Sequence, residues 1–181
     1  TWRDWVRRSI DAYLDLTNFC DEINVVGLSM GALLATVVTS RFKARKLVLA
    51  APAFKVTDRR LKFTPLMSLF VQYREKEPPV FDDPSLNKLA QEYWNKVFIK
   101  PAAQLYKLQK IAIKSLEKVE SSTLVIVTQK DNTVPLSVLD VIREHLKSEF
   151  KTVVLEKSAH PVTNDVEKEL VAEKIVEFLS N

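Results

Sequence analysis

Only two glycines occur in 181 residues, and both lie in the single stretch Gly27-Leu28-Ser29-Met30-Gly31. The apolar run Ile23-Asn24-Val25-Val26 comes just before it, and an apolar segment from Met30 to Ser40 follows. The run reads as a buried strand and the segment as a helix, so the glycines bracket a sharp strand-to-helix turn. Such a turn forces the central serine into strained dihedrals. A side chain two positions to either side is expected to collide with the crowded backbone.

The same β-then-α rhythm recurs along the chain. Runs 23–27, 46–50, 123–128 and 152–155 are short, rich in Val, Ile and Leu, and mostly apolar without alternation, as expected of strands covered on both faces of a parallel sheet. Helical patterns cover 2–19, 30–40, 102–119, 136–146 and 166–179. In the first of these Val6, Ile10, Tyr13, Leu14 and Thr17 recur at helical spacing, and Thr1 with Asp4 can form an N-terminal cap. The expected fold class is therefore α/β, a parallel sheet with right-handed crossovers.

The stretch 53–100 breaks the rhythm. It carries Pro78-Pro79, the charged run Arg74-Glu75-Lys76-Glu77, and the aromatics Phe63, Phe70, Tyr73, Phe81, Tyr93 and Trp94. It reads as a helical cap inserted above the strand ends, and two roles are open to it: to shape the binding pocket, as loops at that edge of such sheets do, or to form a peripheral helical hairpin with an aromatic core of its own. The organisation expected is a core half at 1–52, a cap at 53–100 and a second core half at 101–181.

Composition narrows the function classes. Apolar residues make up 46% and charged residues 28% of the chain, the balance of a globular protein rather than a disordered one. The net charge of +4 is spread among interspersed acids and bases, which argues against a phosphate-tracking surface and so against a nucleic-acid partner. No apolar run is long enough for an integral membrane segment. The one cysteine, Cys20, cannot build an intrachain disulfide framework, which makes a cytoplasmic location the expectation. There is no Cys/His cluster and no Gly-rich phosphate loop, so neither a metal nor an organic cofactor is expected.

Three side chains carry the candidate chemistry. Ser29 sits at a turn that lifts its hydroxyl out of the sheet and places it at a helix N-terminus, where the Met30 N–H can meet a developing oxyanion. A serine hydroxyl needs a base. His145 lies inside an amphipathic helix, whereas His160 follows a strand directly and precedes Pro161, which stops any helix from running through it. His160 is therefore the expected base, and Asp131, in the loop after 124–128, the expected acid that orients it. Asn164 and Glu167 read as a capping box for the last helix.

Gly-Leu-Ser-Met-Gly at 27–31, Lys-Asp-Asn-Thr-Val-Pro at 130–135 and Ser-Ala-His-Pro-Val-Thr-Asn-Asp at 158–165 resemble the nucleophile elbow, acid loop and histidine loop of bacterial carboxylesterases and monoacylglycerol lipases. The resemblance spans essentially the whole chain. It implies the α/β-hydrolase fold, triad roles for Ser29, Asp131 and His160, one oxyanion donor at Met30, and an acyl-chain pocket in the cap. Where that family commonly carries a glycine after the elbow and another before the histidine, this chain has Ala32 and Ala159. The N-terminal strands of the family, with the His-Gly loop that gives a second oxyanion N–H, have no counterpart here. The first strand is accordingly expected at an exposed sheet edge, in a fragment or in a chain completed by a missing N-terminal segment or a homo-oligomer partner.

The activity implied is hydrolysis of small-molecule carboxylic esters, with short to medium acyl chains or a monoacylglycerol, without a cofactor. The alternatives are an amidase, peptidase or acyltransferase on the same triad, and a non-catalytic binding protein of the same fold.

Overall fold

The computed structural model describes residues 1–77 and 95–181. In chain order the elements are α1 (Trp2–Thr17), β1 (Asn24–Leu28), α2 (Met30–Thr39), β2 (Lys46–Ala50), a 3-10 turn (Arg59–Phe63), α3 (Thr64–Met67), β3 (Tyr73–Glu75), β4 (Lys96–Phe98), α4 (Ile99–Leu116), β5 (Ser122–Thr128), α5 (Val138–His145), β6 (Phe150–Leu155) and α6 (Lys168–Ser180). Strands β1, β2, β5 and β6 form one parallel sheet in that order.

Alternation along the two central strands divides the core between the sheet's faces. Leu47, Leu49, Val125 and Val127 pack with Leu33 and Val37 of α2, Leu108 and Leu116 of α4, and Ile142 of α5. Val48, Ala50, Leu124 and Ile126 point the other way, onto Val171 and Phe178 of α6. Both faces being covered, β2 and β5 show the continuous apolar sequence of a buried parallel strand. The outer strands differ. β6 begins at Phe150, earlier than its apolar residues suggest, because pairing with Thr123 and Leu124 of β5 recruits Phe150 and Lys151 into the ladder. β1 lies at the sheet edge, with Val26 49% exposed.

Helix α1 opens with the Thr1–Asp4 capping box, the Thr1 hydroxyl donating to the Asp4 carboxylate at 2.6 Å. Its packing stripe is narrower than the sequence spacing suggests. Val6 and Tyr13 are buried and Ile10 packs beside them, while Leu14 and Thr17 face outward. Helix α4 starts at Ile99 rather than 102, with Pro101 in its first turn, where the missing N–H costs nothing. At the opposite end of the sheet from the site, Lys46 Nζ donates to the Phe178 carbonyl at 2.6 Å and the Leu179 carbonyl at 3.3 Å, a cation at the C-terminus of α6.

The described part of 53–100 is not purely helical. The 3-10 turn and the one-turn α3 lead into an antiparallel ladder in which Tyr73 pairs with Phe98 and Glu75 with Lys96. Phe81, Tyr93 and Trp94 lie outside the described residues.

Candidate active site

Ser29 is the first residue past β1 and the N-cap of α2, and its φ of 55° lies in the left-handed region that side chains avoid. The surroundings hold it there. Its N–H donates to the Ala50 carbonyl at 2.8 Å, and its own carbonyl accepts from Ala32 N–H at 3.2 Å and Ala53 N–H at 3.3 Å. A Cβ on Gly27 would stand 2.4 Å from the Gly31 carbonyl oxygen, so the crowding expected at this position is real. At Gly31 the expectation is corrected. A Cβ there meets nothing within 4 Å, because the backbone of Gly31 approaches Gly27 while its own side-chain direction faces open space.

Asp131 lies in the loop after β5 and His160 in the loop after β6. His160 Nδ1 is 2.8 Å from Asp131 Oδ2, and His160 Nε2 is 2.8 Å from Ser29 Oγ. The carboxylate can only accept, so Nδ1 carries the proton and Nε2 is left to accept from the serine hydroxyl. Asp131 is itself fixed, its Oδ1 accepting from Thr133 N–H at 2.7 Å and Val134 N–H at 2.8 Å. Its side chain is 2% exposed against 23% for His160, so the carboxylate is walled off while the imidazole edge stays reachable.

Three loops from three strand ends thus bring Ser29, His160 and Asp131 into one hydrogen-bonded line. Met30 is the first residue of α2, and its N–H has no intrahelical acceptor there. His145 stands apart at the end of α5, with Nδ1 3.4 Å from Glu117 Oε1. A serine bonded to a neutral imidazole nitrogen can pass its proton there as the oxygen attacks an electrophile, and a carboxylate behind the ring stabilises the imidazolium that forms. Among the described residues, no group of three or more His, Cys, Asp or Glu side chains is placed to hold a metal ion, and no helix is long and apolar enough to cross a membrane.

Some contributors were not visible in the sequence. Ala51, directly after β2, has φ 40°, and with Ser29 it makes up the pair of non-glycine residues at positive φ among the described residues. Gln109 of α4 donates Nε2 to the Ala53 carbonyl at 2.7 Å, and Ala53 in turn bonds Ser29. The capping box expected from Asn164 and Glu167 does not form. Helix α6 starts at Lys168, and the Glu167 carboxylate reaches back to the histidine loop instead.

The sequence profile of the α/β hydrolase family matches residues 1–173, and the chain belongs to that family. No curated protein sequence matches it. Among solved structures, it is similar to one reported for LipS and LipT, two metagenome-derived lipolytic enzymes, with a TM-score of 0.87 and 21% identity over 99% of this chain and 74% of that one. It is similar also to a monoacylglycerol lipase of Paleococcus ferrophilus, with a TM-score of 0.72 and 16% identity over 96% of this chain and 74% of that one. A putative non-heme bromoperoxidase, BpoC of Mycobacterium tuberculosis, gives a TM-score of 0.70 and 15% identity over 99% of this chain and 74% of that one. At these identities the likeness is one of fold, and several activities share it.

Proposed function

We propose that this protein is a serine hydrolase of carboxylic esters, with Ser29 as nucleophile, His160 as general base and acid, Asp131 as the orienting carboxylate and the Met30 N–H as one oxyanion donor. The observation that carries this reading is the unbroken pair of 2.8 Å contacts from Ser29 Oγ through the His160 ring to Asp131. Ser29 Oγ attacks the ester carbonyl carbon while His160 Nε2 takes the hydroxyl proton. The tetrahedral oxyanion forms at the N-terminus of α2, then collapses, and the alcohol leaves with the proton from Nε2. A water molecule gives a proton to the same nitrogen as it attacks the acyl-enzyme. The acid departs and Ser29 recovers its proton.

The described part of the cap, 53–77 and 95–100, carries exposed Phe63, Leu66, Leu69 and Phe70, which supports an apolar acyl group of short to medium length or a monoacylglycerol as substrate. The lone Cys20 fits a reducing compartment such as the cytoplasm.

The test is turnover of nitrophenyl esters of graded chain length, with the matching amides alongside, and intact mass after a fluorophosphonate. Ester turnover and one adduct on Ser29, both lost in Ser29→Ala, are the expected result. Ester turnover that survives in Ser29→Ala overturns the reading. Amide turnover in preference to ester turnover redirects it to an amidase, and absence of any adduct leaves a binding protein of this fold.

A further inference from the structure

The four consecutive backbone N–H groups just before His160 all end on two carboxylates. Glu156 and Lys157 donate to Glu167 at 3.3 and 2.9 Å, Ser158 donates to Glu167 Oε2 at 2.7 Å, and Ala159 donates to Asp165 Oδ2 at 2.6 Å. These residues lie beyond the end of β6, where the ladder with β5 has closed at Leu155. A run of N–H groups turned to one side makes a concave donor array, and an anion is its strongest acceptor.

The bonds return in the other direction as well. Glu167 N–H donates to Ser158 Oγ at 3.1 Å, Asp165 Oδ1 accepts from Val166 N–H at 2.8 Å, and Thr128 Oγ1 at the end of β5 donates to the Ser158 carbonyl. Ser158 and Asp165 are both 0% exposed, so no solvent can replace a lost partner. Neither carboxylate is a hydrogen-bond partner of the imidazole, whose two nitrogens face Asp131 and Ser29. Their grip ends one peptide away from it, at Ala159, and on the far side Val162 N–H closes a turn onto the His160 carbonyl at 2.8 Å.

We infer that Asp165 and Glu167 are positioning residues: together they clamp 156–159 and so hold His160 Nε2 on Ser29 and Nδ1 on Asp131. The inference rests on the reading of His160 as the base. The clamp explains how a histidine in an irregular loop keeps two simultaneous 2.8 Å contacts to residues on two other loops. A displacement of about 1 Å at such a group costs roughly 100-fold in rate.

Two variants test it. Asp165→Ala leaves the Ala159 and Val166 N–H groups without acceptors. Glu167→Gln, at a half-buried and more forgiving position, removes the charge and half the acceptor capacity. The readouts are the rate of fluorophosphonate labelling at Ser29, kcat and KM on a nitrophenyl ester, and the low-field proton resonance of His160 Nδ1–H in its bond to Asp131. Expected in Asp165→Ala is a labelling rate and kcat lower by about 10- to 100-fold at unchanged KM, with the low-field resonance broadened or lost. Glu167→Gln shows a smaller change of the same kind. If Asp165→Ala does not fold, Glu167→Gln decides. Wild-type labelling and an unshifted resonance in a folded variant overturn the clamp. The resonance needs only the His160–Asp131 bond, so it reports on the clamp even if no ester proves to be a substrate, and it is retained in Ser29→Ala.

Discussion

Gly27 faces the backbone of Gly31 so closely that a methyl group on Gly27 would lie 2.4 Å from the Gly31 carbonyl oxygen, 2.5 Å from its carbon and 2.6 Å from the Ala32 nitrogen. All three obstacles are backbone and cannot rotate away. Gly27→Ala therefore has to push the start of α2 off β1, at a cost of about 1–3 kcal/mol or more. Gly31 lies in the first turns of α2 with no positive φ and with open space at its Cβ position. Gly31→Ala should stabilise the protein by about 0.5–1 kcal/mol through helix propensity. Urea denaturation of the two variants separates them, and equal destabilisation would contradict the asymmetry.

The Gln109 side chain links α4 to the serine turn through Ala53 and is nearly buried. Gln109→Leu keeps the volume but strands the Ala53 carbonyl, and should cost about 1–3 kcal/mol. Thermal unfolding measures the loss, and a midpoint unchanged from wild type would show that the carbonyl finds another donor.

Partial burial works to raise the pKa of Glu167, but the N–H groups of Ser158, Lys157 and Glu156 and the Ser158 side chain outweigh it and hold the carboxyl below its ordinary value. The unfolded chain therefore binds this proton more readily than the folded one, so stability from Glu167 rises with pH. It is complete above the ordinary glutamate range and drains away as pH falls through the lower, folded value. Denaturation midpoints measured from neutral pH into acid should fall less steeply in Glu167→Gln than in wild type. Parallel curves would mean that other carboxylates carry the acid sensitivity.

The elbow was legible because its signals are redundant: scarce glycines, an apolar strand before and an apolar helix after. His160 was separable from His145 because a strand end and a following proline leave little choice of local structure. Asp165 and Glu167 were not legible for a physical reason. Asn164 and Glu167 have the spacing of a capping box, and sequence does not record whether a carboxylate bonds its own helix or reaches across to 156–158. The openness at Gly31 and the left-handed Ala51 depend on how α2 and the β2 loop sit in three dimensions, which no local pattern encodes. The ladder between Tyr73–Glu75 and Lys96–Phe98 was missed because strands of three residues carry too little periodicity to stand out.

The order of strands in the sheet has a consequence for synthesis. Lys46 of β2 pairs on one side with Asn24, already made, and on the other with Ser122, still far downstream. At about 5–20 residues per second, β2 waits roughly 4 to 15 seconds on the ribosome before its second neighbour exists. Through that interval Leu47, Val48 and Leu49, all fully buried in the finished molecule, have an open flank. This sheet therefore passes through an aggregation-prone adolescence, and the yield of native protein in a cell should respond to translation speed across 51–121 and to chaperones acting during that window.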